Sequence, residues 1–192
     1  MSRERGTTMT MTATTDPIAL KLDQLFTATD TDRDGYVGWS DYQRIVDRYL
    51  SSYKIDRNDR RAQALTIGYQ MYWMELLRHA DGQERLSKEQ FRQANRAASV
   101  DTSRFNMVEG LAHAIFDVMD TNGDNAISKT EFKQYLDVWA ISDPSAMDAF
   151  TELDTDGNGE ISRHEFIRAI REFFYSSDLD TPGSLFFGRL SR

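Results

Sequence analysis

Cysteine is absent from the 192-residue chain, and histidine, proline and tryptophan occur only three times each. Without cysteine there is no disulfide framework, thiolate zinc site, iron–sulfur cluster or cysteine nucleophile. His79, His113 and His164 lie far apart, and none belongs to a His-x-x-x-His pair on one helical face. A zinc enzyme is therefore not expected, and any metal must bind through oxygen. No run approaches the roughly 18 apolar residues of a membrane-spanning helix. Residues 1–15 are polar and threonine-rich, with no apolar stretch of signal-peptide type. A cytoplasmic location with no membrane partner is expected. Basic residues are also short, 23 against 31 acids, for a formal charge of -8, which speaks against a nucleic-acid partner because phosphates need a basic face.

What is present is a core-forming complement, 40% hydrophobic and 11% aromatic, distributed in helical stripes. Residues 1–15 are expected to be a disordered tail. Asp16-Pro17 reads as an N-cap with proline in the first turn, opening a helix through Ile18, Leu22, Leu25 and Phe26. The pattern recurs at Asp143-Pro144 with Met147, Phe150 and Leu153. Ala64, Ile67, Met71, Met74 and Leu77 describe the apolar stripe of a long helix, and Val108, Leu111, Ile115, Phe116 and Met119 that of another. Further stripes at Tyr42, Ile45 and Tyr49, at Phe91, at Phe132, Tyr135 and Leu136, and at Phe166, Ile170 and Phe173 follow four loops. The expectation is an all-α fold of eight helices in four helix–loop–helix units. Val37, Leu86, Ile127 and Ile161 would join the loops in very short two-stranded contacts.

The loops carry the chemistry. Ten of the 31 acids place side-chain carboxylates at ligand positions of three twelve-residue segments. A calcium ion takes six to eight oxygens from alternate loop positions, closed by a bidentate carboxylate, with a glycine at the sharp turn. DTDGNGEISRHE supplies Asp154, Asp156 and Asn158, the turn at Gly159, the Glu160 carbonyl and Glu165. DTNGDNAISKTE supplies Asp120, Asn122 and Asp124, the Ala126 carbonyl and Glu131, with Asn125 at the turn because asparagine tolerates positive φ. DTDRDGYVGWSD supplies Asp30, Asp32 and Asp34, the turn at Gly35, the Tyr36 carbonyl and Asp41. Aspartate is one methylene shorter than glutamate, so Mg²⁺ becomes competitive with Ca²⁺ in this loop. A segment from His79 to Gln90 places histidine first, Glu84 at the turn and neutral Gln90 last; with only Asp81 well placed, it is expected to bind no metal.

These loops, the degenerate second unit, the Asp41 closure and the Asp178–Gly183 stretch before Phe186 and Phe187 resemble the sarcoplasmic calcium-binding and calerythrin-like family of EF-hand proteins. The resemblance runs from about Asp16 onward. It implies two pairs of units in one compact globule, residues 16–100 and 101–175, acting as a monomeric calcium buffer without a protein partner. A tail over residues 176–192 is expected to pack on the helices, Leu185 to Leu190 filling the groove a partner helix would use. A calcium sensor that exposes such a groove is the alternative, disfavoured because few methionines and many aromatics suit a closed core. Calcium-regulated photoproteins, which hold an organic substrate, resemble the same fold, but no catalysis is expected here. Arginine exceeds lysine 18 to 5, pointing to a bacterial source.

Overall fold

A computed structural model describes residues 16–100, 105–142 and 144–187, so the expected tail over residues 1–15, Asp143 and Leu190 lie outside it. The described residues form eight α-helices: α1 Pro17–Thr29, α2 Trp39–Ser52, α3 Arg60–Arg78, α4 Lys88–Val100, α5 Phe105–Met119, α6 Lys129–Val138, α7 Asp148–Leu153 and α8 Arg163–Tyr175. Four short strands lie in the loops: β1 Tyr36–Gly38, β2 Arg85–Ser87, β3 Ala126–Ile127 and β4 Ile161–Ser162. β1 pairs antiparallel with β2, setting Val37 opposite Leu86, and β3 pairs with β4, setting Ile127 opposite Ile161. All four aliphatic side chains are wholly buried, so each strand pair ties two loops together and anchors them in the core.

The helix starts follow local chemistry. Asp16 Oδ1 accepts from Ile18 N at 3.0 Å and Ala19 N at 3.3 Å, satisfying two orphan donors at the head of α1. Ser128 and Ser162 cap α6 and α8 in capping boxes with Glu131 and Glu165. Pro144 opens a 3-10 turn, Pro144–Met147, which leads into the six-residue α7.

α3 overturns one expectation. Ile67, Met71 and Met74 are exposed, at 54%, 49% and 65%, while Ala62, Leu65, Tyr69, Tyr72, Trp73 and Leu76 form the buried face. Both stripes satisfy helical periodicity. The aromatic face buries more apolar area and wins.

The two pairs share one core. α3 packs on α5, α1 on α8 and α2 on α6. The Tyr53 hydroxyl donates to the Glu131 carbonyl at 2.7 Å, and Trp139 Nε1 donates to the Tyr49 hydroxyl at 2.9 Å. Lys21, 0% exposed, reaches from α1 to the end of α8, where Nζ donates to the carbonyls of Glu172 and Ser176, both at 2.8 Å. A cation is well placed among the last carbonyls of a helix. Burial drives the Lys21 pKa down, and the charges of Glu172 and Asp178 oppose it.

After α8 the chain turns back in a 3-10 turn, Pro182–Leu185. Gly183 N donates to Glu172 Oε2 at 3.0 Å, and a Cβ at this position would lie 2.2 Å from the Ala169 carbonyl oxygen. Only glycine permits that approach. It delivers Phe186, 1% exposed, into edge-on contact with Tyr135 and Phe166, at centroid distances of 5.3 and 5.2 Å. Phe187 lies against Trp139 and Phe173 at 4.9 and 5.1 Å.

Candidate metal centre

Three loops share one backbone solution. The fourth and sixth residues adopt left-handed φ: Arg33 at 59° and Gly35 at 84°, Gly123 at 76° and Asn125 at 65°, Gly157 at 71° and Gly159 at 91°. That pair of turns folds the segment around its first residue, whose carboxylate collects amide donors. Asp30 Oδ1 and Oδ2 accept from Asp34 N and Gly35 N at 3.1 and 3.0 Å. Asp120 accepts from Gly123 N and Asn125 N at 2.8 and 2.9 Å, and Asp154 from Asn158 N and Gly159 N at 3.0 and 2.8 Å. The fifth side chain then orients the seventh peptide: Tyr36 N donates to Asp34 Oδ1 at 2.8 Å, Ala126 N to Asp124 Oδ1 at 3.0 Å and Glu160 N to Asn158 Oδ1 at 2.9 Å.

The closing carboxylates are buried and divided between the two ends of each loop. Glu165 Oε1 accepts from Thr155 N and Oγ1 at 2.8 and 2.7 Å, and Oε2 from Ser162 N and Oγ at 2.9 and 2.8 Å. Glu131 does the same with Thr121 and Ser128. Asp41, despite its missing methylene, also spans the loop, Oδ1 accepting from Thr31 N at 3.0 Å and Oδ2 from Gly38 N at 2.9 Å. Burial alone raises the Glu165 pKa; the hydrogen bonds from Thr155 and Ser162 outweigh it and bring the value from 4.5 to about 2. At Glu131 and Asp41 burial likewise pushes the pKa up, and the hydrogen bonds to the carboxylate overcome it and lower the pKa. These groups are held as carboxylates. The threonine anchors escaped the sequence reading, although Asp-Thr opens all three loops and Ala80 replaces the threonine in the second.

Among the described residues, two groups of three carboxylates bring one oxygen from each within 4.8 Å of one another: Asp30, Asp32 and Asp41, and Asp154, Asp156 and Glu165. In the third loop Asn122 stands where these loops have their second aspartate; its Oδ1 accepts from Asp124 N at 3.1 Å and its Nδ2 donates to Asp124 Oδ2 at 2.6 Å. All donors are oxygen, carboxylate, amide or backbone carbonyl, a set that fits a hard divalent cation such as Ca²⁺ or Mg²⁺.

The second loop takes another path. Its left-handed residues are Asp81 at 48° and Gly82 at 81°, so the turn falls at the third and fourth positions, with Glu84 in ordinary backbone. His79 caps α3 and points Nε2 to Glu75 Oε1 at 3.4 Å. Gln90 Oε1 accepts from Ser87 N and Oγ, both at 2.9 Å, keeping one half of the closing arrangement. His113 and His164 are exposed on α5 and α8.

Two arginines reach the first loop. Arg44, one turn into α2, donates from Nη2 to Asp32 Oδ2 at 2.6 Å and to Asp41 Oδ1 at 2.7 Å, and from Nε to Thr31 Oγ1. Arg85 of β2 donates to Asp34 Oδ2 at 2.9 Å and lies 4.0 Å over the Tyr36 ring.

Comparison with known proteins gives a consistent picture. Family models for an EF-hand domain pair match residues 109–171 and 14–49. Calerythrin of Saccharopolyspora erythraea is 27% identical over 162 residues, 81% of this chain and 90% of that protein. The sarcoplasmic calcium-binding protein of Perinereis vancaurica tetradentata is 26% identical over 170 residues, 88% and 96% of the two chains. A Streptomyces coelicolor calcium-binding protein, whose structure was solved as a basis for prokaryotic calcium-mediated regulation, is 27% identical, covers 84% of this chain and 99% of its own, and superposes with a TM-score of 0.72.

Proposed function

Because the chain belongs to the EF-hand proteins and within them is similar to calerythrin and the sarcoplasmic calcium-binding proteins, we propose that it is a monomeric calcium buffer of the cytoplasm with three competent loops. The ligand sets are Asp30, Asp32, Asp34, the Tyr36 carbonyl and Asp41; Asp120, Asn122, Asp124, the Ala126 carbonyl and Glu131; and Asp154, Asp156, Asn158, the Glu160 carbonyl and Glu165. The convergence of three carboxylates within 4.8 Å in the first and fourth loops, on backbones with the same two left-handed turns, carries the reading. The second loop, with its turn displaced and Gln90 in the closing position, binds no ion and serves as the β-partner of the first. A bound cation supplies charge to the loops and no chemistry; the protein's residues do the rest, holding carboxylates ionised by buried hydrogen bonds. Buffering rather than signalling is supported by Phe186 and Phe187, which fill the core between α6 and α8 as a partner helix would.

Calorimetric titration of metal-free protein with calcium, with and without millimolar magnesium, tests this. Three sites are expected, with the Asp41-closed loop the one magnesium competes for. Two sites would remove the first loop from the set, and four would restore the second.

A sensor reading has one observation in its favour: the exposed stripe Ile67, Met71 and Met74 on α3, a face of the kind that meets partners. Calcium-dependent gain of hydrophobic-dye binding by the folded chain would support it over the buffer. A photoprotein-like enzyme has less room, since the cavity among Tyr42, Tyr69, Tyr72, Tyr135 and Trp139 holds only about 50 Å³, well below the several hundred typical of organic-ligand sites.

A further inference from the structure

We propose that Arg44 and Arg85 are built-in counter-cations of the first loop, which hold three of its four carboxylates and make it the last of the three competent loops to take a divalent ion. The inference rests on the metal-binding reading of that loop and adds what sets its rank. Arg44 follows the closing Asp41 by three residues, on the same face of α2. Its guanidinium engages Asp32 Oδ2 and Asp41 Oδ1, carboxylates of the very cluster whose oxygens lie within 4.8 Å of one another. Arg85, from β2, holds Asp34. An incoming cation must compete with guanidinium donors for the same carboxylates, or bind beside two fixed positive charges.

The fourth loop has an arginine in the same register and uses it differently. Arg168 also follows its closing acid by three residues and, like Arg44, donates to the threonine of its loop, Thr155 Oγ1 at 2.8 Å, but its carboxylate partner is Glu172 at 3.6 Å. Neither partner is a ligand. The third loop has Gln134 there, without charge. The contrast follows from the closing residue: Asp41 is shorter than Glu165, and its Oδ1 serves both the loop's second residue and the arginine. Arg85 comes from the second unit, so the degenerate unit acts on its neighbour by lending a cation to that neighbour's ligands. Both arginines are partly solvated, with side chains 40% and 58% exposed, so solvent screens the effect to a moderate size.

Site-resolved NMR on the full-length, ¹⁵N-labelled, metal-free chain tests the proposal, the Gly35, Asn125 and Gly159 amides reporting the three loops separately during calcium titration. The Gly35 midpoint is expected at higher calcium than that of Gly159. In Arg44→Gln it should fall by about three- to tenfold, and in Arg85→Gln by about twofold, the scale of a partly exposed charge pair, while Asn125 and Gly159 keep their midpoints. Arg44→Lys, which retains the charge, should remain near wild type. A Gly35 midpoint unmoved in both glutamine variants overturns the proposal and leaves the metal reading intact. A Gly35 amide that never responds, while Gly159 does, overturns that reading of the first loop and the proposal with it. Should Arg44→Gln lose its fold, Arg85→Gln decides alone, because Arg85 rests at the surface on Tyr36.

Discussion

Replacing Gly183 by alanine should unlatch the C-terminal segment. The added Cβ would stand 2.2 Å from the Ala169 carbonyl oxygen and 2.6 Å from Glu172 Cβ. The first is helix backbone and cannot step aside, so the 3-10 turn must lift. With it go the Gly183 N to Glu172 Oε2 bond and the seating of Phe186. A buried phenyl ring removes roughly 150–200 Å² from water, worth about 4–5 kcal/mol at about 25 cal/mol per Å². Mobility regained by the released residues offsets roughly half of this, leaving a loss of about 2 kcal/mol. For a chain of this size that corresponds to a melting temperature lower by about 4–8 °C. Thermal unfolding followed by circular dichroism reads the stability, and hydrophobic-dye fluorescence reads the uncovered core, which should brighten. Gly110→Ala in α5 is the control: nothing lies within 4 Å of its added Cβ, and it should be neutral or stabilising by up to about 1 kcal/mol. Gly183→Ala with wild-type melting and dye binding would refute the latch.

Glu165→Gln should weaken calcium binding in the fourth loop by about a hundredfold, the scale of losing one close charge, and leave the other loops unchanged in the same site-resolved titration. Gln90→Glu should add no site to the calorimetric stoichiometry, because Glu84 does not adopt the left-handed turn and Asp81 and Gly82 take it instead. Metal-free protein should lose stability in acid. Glu165 has a folded pKa of about 2 against 4.5 ordinarily, so its contribution, on the order of 3 kcal/mol, is complete above pH 4.5 and lost as pH falls toward 2. Denaturant unfolding at pH 6 and pH 3 checks this, and Glu165→Gln should flatten the dependence. Lys21→Met, which removes the ammonium donor from the Glu172 and Ser176 carbonyls, should cost about 2 kcal/mol in the same assay; an unchanged midpoint would show that the buried ammonium is no anchor.

The parts of this protein determined by sequence alone are those whose causes are local. A twelve-residue loop carries its oxygen donors, its left-handed turn and its closing acid within its own length, so the geometry at Gly35, Asn125 and Gly159 follows from residue type and spacing. The β-partners Val37 with Leu86 and Ile127 with Ile161 follow from one aliphatic residue at a constant loop position. Even the threonine anchors were present, in the Asp-Thr that opens each of the three loops. Tertiary structure decided what depends on competition between distant surfaces. α3 has two apolar stripes of equal periodicity, and only the presence of α5 and the aromatic core selects Tyr69, Tyr72 and Trp73 over Ile67, Met71 and Met74. Nothing local to α1 buries Lys21; that is decided by the carbonyls of Glu172 and Ser176, 151 and 155 positions away, which the fold brings to its ammonium. Arg85 lies 51 residues from Asp34 and meets it only because β1 and β2 pair. Spacing encodes a set of oxygen donors; which charges gather around that set is decided by the packing of segments that are remote in the chain.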